Sequence, residues 1–409
     1  MNSVNQKEEF MDPKAEMKEP ESLVQALKNG YWLLFGQQWP IWLGGILFGM
    51  INVLMFAFER PWSSASGIRN WGNWFFNNLE VTDITIISPH LFSTSILNFG
   101  IIGGAFSSAL LASQFQIRRA PGRELFKGLL GGVFMGIGSA LSFGCNIGGF
   151  FSATSALSMA GPAMMIGLII GAFIGLKLLV WEITYLSPAV LKPESKTKSS
   201  SDSNIVKQPL VGFTILLVGL ILVFTYDHFD YTTRGGFLLF GLVIGVLMQR
   251  TRFCFVRAFR DPFMTGESEA TRAVAMAVII STIGFSILKW TDLKDWDVFV
   301  TPGFWMGSLL GGSIFGIGMS LSGGCGTSSL WRAGEGQIKL WVALIGFALS
   351  GSYFREWLEE SGWIMKIGEP VFLPDLIGWK MGLLAVVVLM ILWYFLSVWN
   401  EVYKKMVVV

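Results

Sequence analysis

Long apolar runs separated by short polar breaks dominate this chain. Ten runs have membrane-crossing length, at about 40–58, 91–112, 125–144, 161–186, 210–226, 235–253, 270–289, 303–323, 337–354 and 378–399. A bilayer core takes roughly 20 apolar helical residues, so each run predicts one span. Four shorter segments, roughly 61–79, 146–159, 253–266 and 326–336, each follow a span and are too short or too polar to cross. They are rich in Gly, Ser, Thr or Arg and predict re-entrant or surface-lying half-helices. Irregular backbone at membrane depth survives only inside protein or beside a water-filled cavity. Residues 21–38 read as an interfacial amphipathic helix. Residues 1–20 read as a disordered acidic tail, without the basic start and apolar core of a signal peptide.

Two of the runs are nearly the same run. Leu129–Cys145, LLGGVFMGIGSALSFGC, matches Leu309–Cys325, LLGGSIFGIGMSLSGGC, at 11 of 17 positions with an offset of 180. The second lies five spans after the first, and an odd offset makes the repeats run in opposite directions across the membrane. Inverted repeats place a site near the midplane, built from broken helices of both halves. The expected architecture is therefore an all-α polytopic membrane protein, an inverted repeat with re-entrant half-helices. Its parts are a tail with the interfacial helix (1–38), a first repeat of about four spans (39–187) and a cytoplasmic linker (188–209). A connecting span (210–234), a second, inverted repeat (235–360) and a last span with its tail (361–409) follow. The linker assignment rests on KPESKTKSSSDSNIVKQP, Ser- and Lys-rich with almost no apolar residue.

Composition agrees with a membrane class. Residues are 52% hydrophobic and 14% charged, against about 25% charged in soluble domains. The 48 glycines allow close helix approach, and the 17 tryptophans suit the interfaces. A net charge of +2 carries no nucleic-acid signal. Lysine and arginine set the orientation. With the N-terminus inside, seventeen fall in cytoplasmic connections and seven outside (Arg60, Arg69, Arg234, Lys289, Lys294, Arg355 and Lys366). Both termini are therefore expected in the cytoplasm.

Chemistry concentrates at the ends of the repeated helices. In Ser142-Phe143-Gly144-Cys145-Asn146 and Ser322-Gly323-Gly324-Cys325-Gly326, a helix stops at glycines that permit a sharp reversal. A half-helix then begins at Asn146 or Gly326, offering free N–H groups and the positive end of its dipole to an anion. Each cysteine sits at the reversal. A single buried thiol is usually a small packing residue, but a matched pair closing inverted repeats points to a site. The third cysteine, Cys254, lies in QRTRFCFVRAFRDP among Arg250, Arg252, Arg257 and Arg260. These favour an anion or a thiolate, or serve only orientation and snorkelling. Ser64 falls near the slot of Cys254 in the first repeat. Arg332 and Glu335, three apart on a half-helix, suit an ion pair, with substrate contact as the other role. Lys177 and Glu182 are expected to snorkel. His90 and His228 offer no metal-ligand spacing with isolated cysteines. Three cysteines suit no disulfide framework, and no nucleotide loop, CxxC or haem signature is present, so no cofactor, metal or enzymatic apparatus is expected.

The stretches 131–153, 239–262 and 311–336 resemble the YeeE/YedE family of membrane proteins that take up thiosulfate and related sulfur compounds. The resemblance runs over most of residues 40–400. It implies a helical hourglass in the bacterial inner membrane, with thiosulfate passed between Cys254, Cys325 and Cys145 through weak S–H···S hydrogen bonds. It also implies a cytoplasmic sulfur-carrier partner. The half bearing the arginine-flanked cysteine comes second here, as in the YedE-type branch, which is associated with selenium metabolism. Three classes thus stand: a transporter of a sulfur or selenium anion, a membrane sulfurtransferase forming a cysteine persulfide, and a scaffold.

Overall fold

A computed structural model describes residues 23–80, 86–185 and 202–408. The acidic tail, and the linker as far as residue 201, lie outside the described residues. The chain forms two compact units, Met1–Gln38 and Trp39–Val409. In the first, α1 (Leu23–Tyr31) runs into a π-helical turn, Trp32–Gly36, and exposes Leu23, Trp32, Leu33 and Leu34.

The second unit begins with α2 (Ile41–Phe58), α3 (Ala65–Asn78), α4 (Ser93–Leu111) and α5 (Gly122–Leu141). A π-helical segment, Asn146–Ser152, and the short α6 (Ala153–Ser155) lead to α7 (Ala160–Tyr185). Then come α8 (Asp202–His228), α9 (Thr232–Thr251), α10 (Phe255–Met264), α11 (Glu269–Trp290) and α12 (Met306–Ser322). The chain closes with α13 (Gly326–Gly334), α14 (Ile338–Glu360), α15 (Leu373–Ile377) and α16 (Trp379–Tyr403). All four short polar segments of the sequence are helical: α3, the π-helix with α6, α10 and α13.

Among the described residues nine stretches are long and apolar enough to cross a membrane, two of them covering α9 with α10 and α12 with α13. The tenth expected span corresponds to α14. It is 23 residues long and runs beside α5, but polar residues such as Arg355 and Glu356 keep it out of that set. Part of its polarity is spent inside the protein: the Ser350 hydroxyl lies 2.7 Å from the Gly346 carbonyl of its own helix and 3.1 Å from that of Val133 on α5.

Helix packing shows the inverted repeat directly. A Cβ built on Gly131 of α5 would lie 2.6 Å from the Gly318 carbonyl oxygen of α12, and one on Gly318 would lie 2.6 Å from that of Gly131. Further along, Gly138 and Gly311 face each other in the same way, at 2.5 and 2.6 Å. Gly131 matches Gly311 in the repeat and Gly138 matches Gly318. A two-fold rotation therefore exchanges the two contacts, and α5 and α12 cross antiparallel on its axis. No side chain fits between them. In a bilayer, where helices gain little from apolar burial, such close approach supplies the dispersion contacts that hold them.

The other long pairs obey the same symmetry. α5 runs parallel to α14, with Gly132 against the Ala343 carbonyl, and α12 runs parallel to α7, with Gly167 against the Leu309 carbonyl. α4 pairs with α9, and α11 with α2. α8 packs on α4 and α9, and α16 on α11. The half-helices are held inside this frame.

Candidate anion-translocation site

The ends of α5 and α12 are built alike. Ser142 caps α5, and its hydroxyl lies 2.8 Å from the carbonyl oxygens of both Gly138 and Gly144, which share its one proton. Ser322 does the same at α12, reaching Gly318 at 2.9 Å and Gly324 at 2.8 Å. The sharp reversal is made one residue earlier than the Gly-Cys pairs suggest, at Phe143 (φ 58°) and Gly323 (φ 76°). Gly144 and Gly324 are needed for closeness instead. A Cβ on Gly144 would lie 2.5 Å from the Gly149 nitrogen, and one on Gly324 2.8 Å from Ser329 Oγ. Phe143 carries the left-handed conformation at a cost of about 1–2 kcal/mol that glycine would avoid, and its ring lies under the Arg355 guanidinium at 4.5 Å.

Cys145 and Cys325 follow with nearly identical backbones, φ/ψ −80/−178° and −89/−179°. Both are fully buried. The Cys145 carbonyl accepts from Gly149 N at 2.6 Å and that of Cys325 from Ser329 N at 2.8 Å, so each cysteine launches its half-helix. The two launches meet. A Cβ on Gly326 would be 3.5 Å from Cys145 Cβ, and the Asn146 amide approaches the Cys325 sulfur. Neither polar atom of Asn146 has hydrogen-bond geometry to a protein group, although the residue is fully buried. Such an amide supplies both a donor and an acceptor to whatever lies between the half-helices.

The two thiols differ in one respect. The Cys325 sulfur accepts from Ser328 N at 3.4 Å and Ser328 Oγ at 3.1 Å, and Ser328 Oγ also accepts from Cys325 N at 2.6 Å. The counterpart of Ser328 in the first repeat is Gly148, and Cys145 has no such cap. Sequence reading overlooked Ser328, because a thiol is an unusual helix cap.

Cys254 stands at the start of α10 as Ser64 does at the start of α3, the correspondence that the sequence suggested. Ser64 Oγ shares a 2.8 Å hydrogen bond with Thr327 Oγ1 on α13, joining the two repeats. Cys254 is 5% exposed and lies within electrostatic reach of Cys325. All three cysteines are free and belong to one buried cluster.

Two cavities approach this waist from opposite ends of α4 and α5. One, of about 310 Å³, is lined by Cys254, Gly323 and five arginines: Arg118, Arg252, Arg257, Arg260 and Arg332. Most of that charge is already engaged. Arg257 and Arg260 both bind Asp261 at 3.0 Å. The expected Arg332–Glu335 pair is not formed. Glu335, at the C-terminal end of α13, turns to Arg252 at 2.6 Å and to Gln249 at 3.1 Å. Arg332 instead caps α12 by donating to the Gly323 carbonyl at 2.6 Å. Glu182, expected to snorkel, binds Arg123 at 2.7 Å and Lys127 at 3.2 Å.

The other cavity, about 200 Å³, is lined by Arg60, Arg69, Ser63, Ser66, Thr94, Ser139, Phe143, Gly144 and Thr301. Burial lowers the Arg60 pKa. Burial and then the neighbouring Arg355 lower that of Arg69 to about 10, which leaves Arg69 charged near neutrality. The cavities are related by the same two-fold: Phe143 and Gly144 line one, Gly323 and Cys254 the other. The buried cysteine cluster lies between the two polar cavities.

An inverted-repeat helical bundle with broken helices meeting between two polar cavities is the architecture of a membrane transporter. The profile of the sulphur transport family matches residues 9–174 and 250–408, so the chain belongs to that family, the YeeE/YedE group. It is a multi-pass membrane transporter of sulfur compounds and not an enzyme. It is 29% identical to "Probable transporter YedE" of Escherichia coli strain K12 over 299 residues, 71% of each chain. It is 35% identical to "Thiosulfate transporter TsuA" of the same strain over 118 residues, covering 29% of this chain and 33% of that one. With "Thiosulfate transporter TsuA" of Spirochaeta thermophila it shares 31% identity over 132 residues, 32% of this chain and 39% of that one.

Proposed function

We propose that the protein takes up a small sulfur-containing anion, thiosulfate foremost, across the bacterial inner membrane. In this reading the anion passes Cys145, Cys325 and Cys254 in turn. The observation that carries it is the meeting of two inverted Ser-x-Gly-Cys helix ends at Asn146 and Gly326, between two arginine-lined cavities.

An anion entering a buried constriction loses its hydration, which costs several kcal/mol unless polar groups replace the water. The starts of the half-helices at Asn146 and Gly326 supply N–H dipoles without a full charge. Asn146 supplies an uncommitted amide. The Cys325 sulfur already accepts from Ser328, so its own S–H proton is left to donate to the terminal sulfur of the anion. Weak, polarizable donors bind modestly, and modest binding lets the ion leave. The lysine and arginine asymmetry puts both termini and the Arg118 cavity in the cytoplasm. Travel then runs from the Arg60 cavity inward. A cytoplasmic sulfur-carrier protein is the partner that the family resemblance suggests at the Arg118 cavity.

The test is uptake into liposomes holding the purified protein, with thiosulfate, sulfite, selenite and sulfate offered separately and the internal product analysed. Intact thiosulfate inside supports the proposal. Preference for selenite would move the substrate to a selenium anion, and no uptake of any of the four would overturn it.

A further inference from the structure

The two cavities are symmetric in position but not in charge balance. On the Arg118 side the carboxylates of Asp261 and Glu335 hold Arg257, Arg260 and Arg252 at salt-bridge distance. On the other side, among the described residues, the only carboxylate near Arg60 is Glu59, at 3.9 Å; its guanidinium lies over the Phe237 ring at 5.2 Å, and its buried Nε has no hydrogen-bond partner. Arg69 makes no ion pair or hydrogen bond among the described residues. The nearby Glu359 is engaged by Arg355 at 2.6 Å. Two guanidiniums therefore line one small cavity with donors unspent. A neutral donor joins them: Thr94 Oγ1 accepts from Ser66 Oγ at 3.1 Å, leaving its own proton to donate. The cavity, about 200 Å³, would hold about six or seven waters at roughly 30 Å³ each, or one small anion with part of its hydration. It reaches Gly144, the residue before Cys145.

We propose that the cavity of Arg60, Arg69 and Thr94 is a binding site for a doubly charged tetrahedral oxyanion, separate from the thiols and indifferent to sulfur chemistry. It selects by charge and shape, because guanidinium N–H groups match oxyanion oxygens. Its ligands include sulfate, which has oxygens at all four corners and no terminal sulfur for the thiols. The waist beyond it then separates thiosulfate from sulfate. The inference rests on the proposed uptake only for the direction of travel. Sulfate binding can be present or absent whether or not the cysteines conduct.

The experiment is calorimetric titration of the purified full chain with sodium sulfate. Saturable binding is expected in the wild type and undiminished in a Cys145→Ala, Cys325→Ala variant. Arg60→Gln and Arg69→Gln should each weaken it at least tenfold, and Arg69→Lys by less. Ser66→Phe, which leaves both arginines in place but fills the cavity, should also abolish it, and so keeps the test valid if a glutamine variant misfolds. Arg260→Gln, on the opposite cavity, should leave it unchanged. Absence of saturable binding in the wild type would overturn the proposal. So would binding that survives Ser66→Phe, or that falls only with Arg260→Gln or with loss of the cysteines.

Discussion

Gly326 lies directly against Cys145: a Cβ placed on the glycine would sit 3.5 Å from the cysteine Cβ and 3.1 Å from Cε1 of Phe347. One methyl group can be fitted there with a small shift, and two cannot. Gly326→Ala is therefore expected to fold and to slow thiosulfate uptake severalfold. Gly326→Val is expected to stop uptake while the protein still inserts. The check is uptake by reconstituted variants, with thermal unfolding as the folding control. Wild-type rates for Gly326→Val would mean that ions do not pass this contact.

The crossing of α5 and α12 should be an unforgiving packing contact. A Cβ at Gly138 would be 2.5 Å from the Gly311 carbonyl oxygen, and backbone cannot turn aside as a flexible side chain can. Overpacking of a tight core costs about 1–3 kcal/mol, and Gly138→Val should reach or exceed the upper end. The expected readout is a clear fall in melting temperature. Gly122→Val, on α5 with nothing within 4 Å of its Cβ position, should cause a far smaller fall.

The frame was readable from residues because it rests on local pattern. Apolar run lengths gave the long helices, and the match of Leu129–Cys145 with Leu309–Cys325 pointed to inversion before any contact was known. What pattern could not reveal depends on tertiary approach. Arg332 and Glu335 have pairing spacing, yet Glu335 ends α13 beside Arg252, which a left-handed turn (φ 54°) brings across from α9. Arg60 and Arg69 read only as outside charges, because their convergence requires α3 to be held inside the bundle. The reversal was assigned to glycines, whereas the first repeat makes it with Phe143, a residue whose left-handed conformation no propensity scale would suggest.

The Arg252–Glu335 pair ties α13 to α9. Glu335 is 1% exposed, whereas the Arg252 side chain is 27% exposed. Breaking a fully buried pair costs about 3–5 kcal/mol; with one partner part-solvated, Glu335→Gln should cost about 2 kcal/mol. A double Arg252→Met, Glu335→Met variant should recover part of that loss, since no charge is then stranded. Thermal unfolding of the single and double variants measures the difference. A double variant less stable than the single one would show that the pair does more than balance charge.

The proposed membrane orientation rests on the asymmetry of lysine and arginine between the two sides. Single cysteines at Asp230 and Asp295 should react with an impermeant thiol reagent added outside, and cysteines at Arg118, Arg123 and Ser200 of the linker should not. The three native thiols are buried and are expected to stay unlabelled. Labelling at position 200 but not at 295 would reverse the direction of travel and make the Arg118 cavity the entrance.

The central claim is that the thiols conduct the anion and do not merely fill space. Cys145→Ala, Cys325→Ala and the double variant should retain the wild-type fold with at most modest loss of melting temperature, since a buried thiol packs like a small apolar group. Each should lose thiosulfate uptake, and Cys254→Ala should impair it. Serine should not restore transport at positions 145 or 325, because a hydroxyl is a smaller and harder donor than a thiol. The decisive measurement is the initial rate of labelled thiosulfate uptake by the reconstituted Cys145→Ala, Cys325→Ala protein. A rate at the level of empty liposomes is expected, and a rate near that of the wild type would make the cysteines packing residues and the proposed path wrong.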